Sequence, residues 1–308
     1  MERPARGSHY EILDERFSTL VQSSAHVDLL YEGCRWAEGP AYMAAGRFLV
    51  WSDIPNDRML RWDEATGAVG PFRQPAGYTN GNTVDRQGRL VTCEHGGRRV
   101  TRTEHDGSIT VLADRYEGAR LNSPNDVVVR SDGSVWFTDP SYGIDTDFEG
   151  HRATPEVDGC HVYRLDPDSG DLRRVIDTMN RPNGLAFSLD ERLLYVSDTG
   201  RGDGPDGPPH MRVFTVADDG TLDGGALFAT PTAGSFDGFR LDEDGRIWTS
   251  AGDGVHCYDP DGTLLGKVLV PETVANVVFG GPKHNRLFIA AATSLYAVYL
   301  RVRGATTL

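Results

Sequence analysis

Six polar residues recur at the same position of a repeated sequence phrase, and all six carry side-chain oxygen. Each one leads an alternating apolar run, a tight turn and a second run rich in β-branched and aromatic residues. They are Glu38, Asn80, Asn125, Asn183, Asp237 and Asn276. Two carboxylates with several amide carbonyls suit a hard divalent cation. The pattern predicts one bound cation, with Ca²⁺ expected and Mg²⁺, Mn²⁺ or Zn²⁺ as alternatives; without His or Cys at this position, Zn²⁺ is the poorest match.

A structural role for these six residues is the competing interpretation. Asn, Asp and Glu before a strand commonly cap a turn with their own side chains, and any one of the six could do only that. All six residues share one phase, however, and equivalent positions of equivalent units lie at one level of a repeat structure, which favours a common site.

The repeated phrase itself predicts a β-hairpin, since two apolar runs flank a tight turn. A second hairpin follows in each unit, which gives four short strands at a period of roughly 40 to 60 residues. This spacing is typical of a β-propeller. The sequence therefore predicts an all-β fold, a six-bladed β-propeller with four-stranded blades around a central channel. The six leading residues would converge at one mouth of that channel.

The predicted propeller covers residues 34–308, and residues 1–33 form an N-terminal segment outside the repeat. Residues 26–31 (HVDLLY) of this segment alternate as a strand does. Joining the two ends of a ring of repeats leaves no free sheet edge. We expect this strand to close the ring by pairing with the run from Leu295 to Val302.

Composition limits the classes of partner. A chain of 308 residues with 39% hydrophobic residues can bury a sizeable core, and its formal net charge of −14 argues against binding to nucleic acid or to an anionic membrane surface. No apolar run is long enough to cross a bilayer, and no apolar stretch follows the N-terminus. We expect a cytoplasmic protein, or a periplasmic one if a signal peptide has been removed, and free thiols at the four widely spaced cysteines. The oligomeric state stays open.

Further polar residues lie near the predicted mouth and are expected to contact a small-molecule substrate. They are Asn80, His95, Asp126 and Asp139. Asp126, Asp139 and Asp198 are also rival general bases, although Asp139 and Asp198 end strands and could simply accept backbone N–H bonds. Two insertions, residues 142–159 and 199–209, could overhang the mouth as lids or be solvated loops. No G-x-S-x-G motif supports a covalent serine mechanism.

Five motifs, in order along the chain, resemble those of the senescence-marker-protein/gluconolactonase/luciferin-regenerating-enzyme family, which includes bacterial gluconolactonases. They are WAEGP at residues 36–40, SPND at 123–126, FTDP at 137–140, RPNGLAFS at 181–188 and FDG at 236–238. The resemblance extends from about Cys34 to Tyr299. It implies a six-bladed propeller with one catalytic divalent cation, usually calcium in bacterial members, that hydrolyses lactones of sugar acids.

The resemblance also implies roles for individual residues. The metal ligands would be Glu38, Asn125, Asn183 and Asp237, whereas Asn80 and Asn276 would line the pocket or cap turns. One position departs from the pattern, because some sugar lactonases have an arginine two residues before the asparagine of the N-D motif to hold the substrate. This chain has Ser123 there.

We therefore predict a metal-dependent hydrolase that opens the ring of a sugar-acid lactone such as D-glucono-1,5-lactone. The cation would polarise the carbonyl and activate water, with Asp237 as the general base. Two other classes compete with this prediction. One is a metal-dependent hydrolase of other esters, such as an aryl lactone or an organophosphate, and the other is a non-catalytic ligand-binding propeller with a structural ion.

Overall fold

The computed structural model describes residues 9–200 and 209–305. Within these ranges, six antiparallel sheets of four or five strands surround a central channel, which confirms the predicted six-bladed β-propeller. In each sheet the strand that carries or follows the leading polar residue is the innermost. Consecutive strands of a blade are hydrogen-bonded neighbours, as hairpins require.

The strands of each blade are given from the channel outwards. Blade 1 contains Ala37–Met43, Phe48–Asp53, Arg58–Asp63 and Val69–Arg73. Blade 2 contains Thr79–Val84, Leu90–Glu94, Arg99–Thr103 and Ile109–Ala113. Blade 3 contains Val127–Val129, Val135–Asp139, His161–Leu165 and Leu172–Ile176. Blade 4 contains Pro182–Phe187, Leu193–Thr199, Pro209–Val216 and Leu222–Ala229. Blade 5 contains Phe239–Leu241, Ile247–Ala251, Gly254–Tyr258 and Leu264–Leu269. Blade 6 contains Val274–Gly280, Arg286–Ala291, Ser294–Tyr299 and Asp28–Glu32.

The outer strand of blade 6 comes from the N-terminal segment. Asp28–Glu32 pairs antiparallel with Ser294–Tyr299, with Leu29 opposite Tyr296. A strand from near the start of the chain thus completes the sheet formed by its last three strands, and this pairing joins the two ends of the ring.

The N-terminal segment also adds to blade 5, which the repeat did not predict. Tyr10–Ile12 pairs with Leu264–Leu269 as a fifth strand. A short helix, Glu15–Leu20, follows, and the carboxylate of Asp14 caps it by accepting the Arg16 N–H at 2.9 Å. Phe17 on this helix is fully buried, with its ring 5.9 Å from that of Trp248. The helix therefore packs on the blade as part of the core.

Large side chains on the second strands pack between blades. Trp51, Trp136 and Trp248 are fully buried in blades 1, 3 and 5. Burying a tryptophan removes on the order of 200 Å² from water, which stabilises the fold by about 5 kcal/mol per residue. The indole N–H of Trp136 donates to Ser134 Oγ at 2.9 Å, and that of Trp248 donates to Asp242 Oδ2 at 3.0 Å. The indole N–H of Trp51 lies 3.5 Å from Cys34 Sγ, so each of the three buried indoles keeps a hydrogen-bond partner.

Smaller elements lie between the blades. They are a two-stranded sheet of Arg115–Tyr116 and Ala119–Arg120, a 3₁₀ turn at Ile54–Asn56 and a helix at Tyr142–Asp145. Within the described part of the chain no helix is long and apolar enough to span a membrane. All four cysteines are free thiols, and only Cys160 among them is partly exposed.

Candidate active site

The inner strands break their regular pairing at the residues predicted to form the site. In blade 1 the register shifts between Glu38 and Ala41, and in blade 4 it shifts between Pro182 and Leu185. Blade 2 shows the same shift between Thr79 and Asn82. Such irregularities bend a strand and re-aim its side chains. They turn the leading side chains towards the channel mouth instead of into the packing between blades.

A glycine follows four of the six leading residues because neighbouring inner strands approach too closely for a side chain. A Cβ atom at Gly39 would lie 2.0 Å from the Asn80 carbonyl oxygen, and one at Gly184 would lie 2.2 Å from the Asp237 carbonyl oxygen. Gly81 and Gly238 are enclosed in the same way by the next blade. The recurring polar-glycine pair is therefore dictated by packing around the channel.

Hydrogen bonds join each blade to the next at this level. Five of them are Ser52 Oγ to the Asn80 carbonyl at 2.7 Å, Gly81 N–H to the Asn125 carbonyl at 2.7 Å, Ser197 Oγ to the Asp237 carbonyl at 2.9 Å, Gly238 N–H to the Ala275 carbonyl at 2.8 Å, and Asn276 Nδ2 to Glu38 Oε2 at 3.1 Å. The Leu185 N–H donates to the Asp126 carboxylate at the remaining junction. The backbone that presents the leading residues is thus tied into a closed ring.

Glu38 and Asp237 lie in hydrogen-bond contact across this mouth. Glu38 is 3% exposed, and its Oε2 accepts the Gly39 N–H at 2.6 Å in addition to the amide of Asn276. Burial raises the pKa of both carboxyl groups, and the charge of Glu38 raises that of Asp237 further. Two carboxylates in contact in a buried site need a shared proton or a cation between them.

The other two expected ligands lie at the same level. Asn183 is buried, and its Oδ1 has no hydrogen-bond partner within residues 9–200 and 209–305. Asn125 is 5% exposed, and its N–H bonds the Thr138 carbonyl at 2.8 Å. No group of three or more His, Cys, Asp or Glu side chains with metal-binding spacing occurs among the described residues. The expected ligand set has only two carboxylates, however, and its remaining donors are amide oxygens. A carboxylate pair beside an unpartnered amide oxygen fits a hard cation.

Asp126 is also buried at the mouth, where it is contacted by its own blade, by the Leu185 N–H of blade 4 and by Arg240 of blade 5. Its Oδ1 accepts the Val127 N–H at 2.9 Å, and its Oδ2 lies 3.5 Å from the Arg240 guanidinium. Its charge acts on both Glu38 and Asp237. Asp126 therefore adds negative potential to the mouth, and Arg240 partly offsets it.

Asp139 and Asp198 accept hydrogen bonds from backbone N–H groups, which is the structural role expected for residues that end a strand. Asp139 accepts the N–H groups of Asn122 and Ser123, each at 2.8 Å. Asp198 accepts those of Asn180 and Arg181, each at 2.9 Å. In blades 3 and 4 an aspartate at the end of the second strand thus fixes the loop that enters the inner strand. Burial raises the pKa of Asp139 to about 7.

His95 contacts another candidate residue and the first insertion. Its Nε2 lies 3.2 Å from Asn80 Nδ2, and its Nδ1 lies 3.1 Å from the Glu149 carbonyl oxygen. Burial lowers the pKa of His95 to about 4. A neutral, fully buried imidazole with both nitrogens engaged has no free face for substrate, so its influence on the site passes through Asn80.

The first insertion is anchored over the mouth. Ser123 Oγ donates to the Pro140 carbonyl at 2.6 Å and accepts the Gly143 N–H at 2.9 Å. The serine that departs from the family pattern therefore anchors the helix Tyr142–Asp145. Tyr142 in turn hydrogen-bonds Thr199 at the start of the second insertion, of which residues 201–208 lie outside the described residues.

Glu149 on this insertion is a site residue that the repeat does not predict. Its charge acts on both Glu38 and Asp237, and burial raises its pKa to about 7. The insertion does not follow the repeat, so no phase relation places Glu149 at the mouth. The sequence offers one indication that Glu149 could reach the mouth, which is that the insertion follows the second strand of blade 3.

A cavity of about 740 Å³ opens at the other end of the inner strands. Its wall includes Tyr42, Val84, Val129, Leu241 and Phe279, which lie near the C-terminal ends of those strands. None of the six leading residues lines it. The candidate site lies at the N-terminal ends of the strands, and Arg240, which lines the cavity, reaches Asp126 from the other end.

Comparison with known proteins places the chain in a family. The family model described as SMP-30/Gluconolactonase/LRE-like region matches residues 36–293. The chain belongs to this family, which confirms the resemblance seen in the five motifs. A gluconolactonase of Zymomonas mobilis is 30% identical over 314 residues, covering 94% of this chain and 85% of the relative.

Two further relatives agree. A pentonolactonase of Haloferax volcanii is 32% identical over 272 residues, covering 84% of this chain and 82% of the relative. The solved structure of a gluconolactonase from Xanthomonas campestris shares 42% identity and a TM-score of 0.88, with 94% of each chain covered. These relatives match nearly the full length of the propeller, including the inner strands that carry the candidate site.

Proposed function

We propose that the protein is a metal-dependent lactone hydrolase that opens the ring of a sugar-acid lactone such as D-glucono-1,5-lactone. Membership of the family and the lactonase relatives support lactone hydrolysis as the reaction class. The observation that carries the metal dependence is the buried contact between Glu38 and Asp237, and the buried Oδ1 of Asn183, without a partner among the described residues, adds a further oxygen donor. A cytoplasmic location stays a prediction from the sequence.

Glu38, Asn125, Asn183 and Asp237 would hold the cation. When bound, a divalent cation at this position supplies a Lewis acid for a carbonyl oxygen and lowers the pKa of a water molecule. Ca²⁺ is the proposed ion, because every donor is a carboxylate or amide oxygen.

Asp237 is the proposed general base. Its backbone is fixed on both sides, since its N–H donates to Ser250 Oγ at 2.8 Å and its carbonyl accepts from Ser197 Oγ at 2.9 Å. The water oxygen bonds to the lactone carbonyl carbon while Asp237 takes the water proton. The ring C–O bond then breaks, and Asp237 returns the proton to the departing ring oxygen. The product is an open-chain hydroxy acid, which ionises near neutral pH.

The lining of the mouth favours a hydroxylated lactone over an aryl substrate. Asn276 donates to Glu38, the charge of Glu149 acts on Asp237, and Asn80 has a buried amide oxygen without a partner among the described residues. A buried polar group stays satisfied only if its ligand supplies a matching hydrogen bond, which an aryl ring does not.

The test compares substrates from each competing class. Acid release would be followed at constant pH for D-glucono-1,5-lactone, dihydrocoumarin and paraoxon, with Ca²⁺ present. We expect fastest turnover of the sugar lactone, loss of turnover in Asp237→Asn and full turnover in Asp168→Asn, a matched change in an exposed turn. Preference for dihydrocoumarin or paraoxon would replace the sugar lactone with another ester. Absence of all turnover in folded protein would favour a ligand-binding propeller.

A further inference from the structure

His95 connects the first insertion to the inner strand of blade 2. The side chain is fully buried, and the insertion packs directly on it, since a Cβ atom at Gly143 would lie 2.5 Å from His95 Cβ. Nδ1 faces Glu149, with the backbone carbonyl oxygen at 3.1 Å and the nearer carboxylate oxygen at 4.0 Å. Nε2 faces the amide nitrogen of Asn80 at 3.2 Å. Both ring nitrogens therefore have one defined neighbour.

These neighbours determine the tautomer of the ring. A carbonyl oxygen only accepts hydrogen bonds, so Nδ1 must carry the proton. A neutral imidazole carries a single N–H, which leaves a lone pair on Nε2. Burial keeps the ring neutral, because it disfavours the imidazolium. The lone pair on Nε2 requires a donor, so Asn80 must turn its NH₂ group towards the ring.

The orientation of the Asn80 amide leaves its oxygen free. Asn80 is 3% exposed, and its Oδ1 has no hydrogen-bond partner among the described residues. The backbone carbonyl of Asn80 is already bonded, since it accepts from Ser52 Oγ at 2.7 Å and from Asn82 Nδ2 at 2.9 Å. Leaving a buried acceptor without a partner is energetically costly. Because Asn80 leads an inner strand, this oxygen lies at the level of Glu38 and Asp237.

We propose that Asn80 Oδ1 accepts a hydrogen bond from a ring hydroxyl of the substrate, and that His95 and the Glu149 carbonyl are positioning groups that keep this oxygen turned into the mouth. The inference rests on the proposed function and deepens it by naming the group that would distinguish a lactone with ring hydroxyl groups from an unsubstituted lactone. The first insertion contributes through its backbone. The Glu149 carbonyl determines the tautomer of His95, and that tautomer determines which way the Asn80 amide is turned.

The kinetic experiment compares D-glucono-1,5-lactone with δ-valerolactone, which has the same ring without hydroxyl groups. kcat/KM for both is measured in the wild type, Asn80→Leu, His95→Phe and the double variant. Thr83→Val is the control, because Thr83 lies on the same strand but lines the cavity at the other end. Thermal melting checks that each variant is folded.

Asn80→Leu is expected to lower the preference for the hydroxylated lactone about tenfold, as loss of one hydrogen bond does. His95→Phe is expected to lower it by a smaller factor, and the double variant by no more than Asn80→Leu alone, because both residues act through one oxygen. Equal losses on both lactones would mean a purely structural role and would overturn the proposal. So would weaker Ca²⁺ binding to Asn80→Leu by calorimetry, since Asn80 would then be a metal ligand.

Two further outcomes are separable. A wild-type protein inactive on D-glucono-1,5-lactone refutes the proposed function and this proposal together, whereas an active wild type with an unchanged preference in Asn80→Leu refutes this proposal alone. The tautomer is tested without kinetics by ¹⁵N NMR of the wild type, with the His95 signals assigned by their loss in His95→Phe. Protonated Nδ1 and unprotonated Nε2 are expected, and a protonated Nε2 would overturn the assignment of the free oxygen.

Discussion

Replacing Glu38 with glutamine should stabilise the metal-free protein while destroying the cation site. In the wild type, Glu38 and Asp237 are two carboxylates in contact, and each disfavours ionisation of the other. Glutamine retains an oxygen that can accept from the Gly39 N–H and from Asn276 Nδ2, and its NH₂ group can donate to Asp237. The substitution thus removes one charge and keeps the local hydrogen bonds.

The size of the effect follows from the geometry. Two unit charges about 4 Å apart repel by about 4 kcal/mol at an effective dielectric constant of about 20. A proton shared by the pair relieves this repulsion, but holding it at pH 6, about 1.5 units above the ordinary carboxyl pKa, costs about 2 kcal/mol. For a domain of this size, 1 kcal/mol shifts Tm by about 2 °C, so Glu38→Gln should melt about 4 °C above the wild type in chelator. Ca²⁺ at about 100 times its Kd should stabilise only the wild type, by about 2.7 kcal/mol.

The assay is thermal unfolding by circular dichroism at pH 6, in EDTA and in saturating Ca²⁺, with Asp168→Asn as the matched carboxylate-to-amide control. We expect the wild type and the control to gain stability with Ca²⁺, and Glu38→Gln to show no response. A variant that melts below the wild type in EDTA, or that responds to Ca²⁺ as the wild type does, would refute the reasoning about the carboxylate pair.

Three other predictions concern stability. Gly184→Ala should lower the free energy of unfolding, measured by urea titration, by at least about 2 kcal/mol, because the added Cβ would meet the backbone of the next blade. Gly70→Ala is the control, because a Cβ there has open space and should change the stability little. Equal effects of the two substitutions would show that close packing is not the reason for Gly184. Burial lowers the pKa of His95 to about 4, so as pH falls the histidine is protonated in the unfolded chain before it is protonated in the folded protein. The free energy of unfolding of the wild type should therefore fall by up to about 3 kcal/mol between pH 6.5 and 4. The difference in free energy of unfolding between the wild type and His95→Phe should become smaller from pH 7 to 4.5. If both proteins lose stability equally over this range, His95 does not cause the loss. Asp139→Ala should lower the free energy of unfolding by about 2 to 4 kcal/mol, since it removes the acceptor of two buried N–H groups. KM for the lactone should stay unchanged. A raised KM at unchanged stability would instead mean that Asp139 contacts the substrate.

The sequence predicts the fold well because the hairpin phrase repeats in one phase. The alternation of apolar residues determines each strand, and the polar-glycine pair marks the point where inner strands meet. The strand Tyr10–Ile12 and the helix Glu15–Leu20 were not predicted, since they lie outside the repeat and their positions depend on contacts with blade 5. Periodicity carries no information about such additions.

The candidate site is predictable to the same extent. The phase places Glu38 and Asp237 at one level, and the structure puts their carboxylates in contact. The state of His95 and the approach of Glu149 are not readable from the sequence, because both depend on how a non-repeating insertion folds back over the mouth. Asp139 shows the converse case, in which a residue type suited to catalysis caps backbone amides.

Metal-dependent lactone hydrolysis is tested by the turnover of D-glucono-1,5-lactone by protein stripped with chelator and then given Ca²⁺, Mg²⁺, Mn²⁺ or Zn²⁺ in turn. Proton release would be followed at constant pH. We expect stripped protein to be inactive, Ca²⁺ to restore turnover most fully, and no ion to restore it in Glu38→Gln or Asp237→Asn. Full activity of the stripped wild type, or rescue of either variant by Ca²⁺, would contradict this expectation.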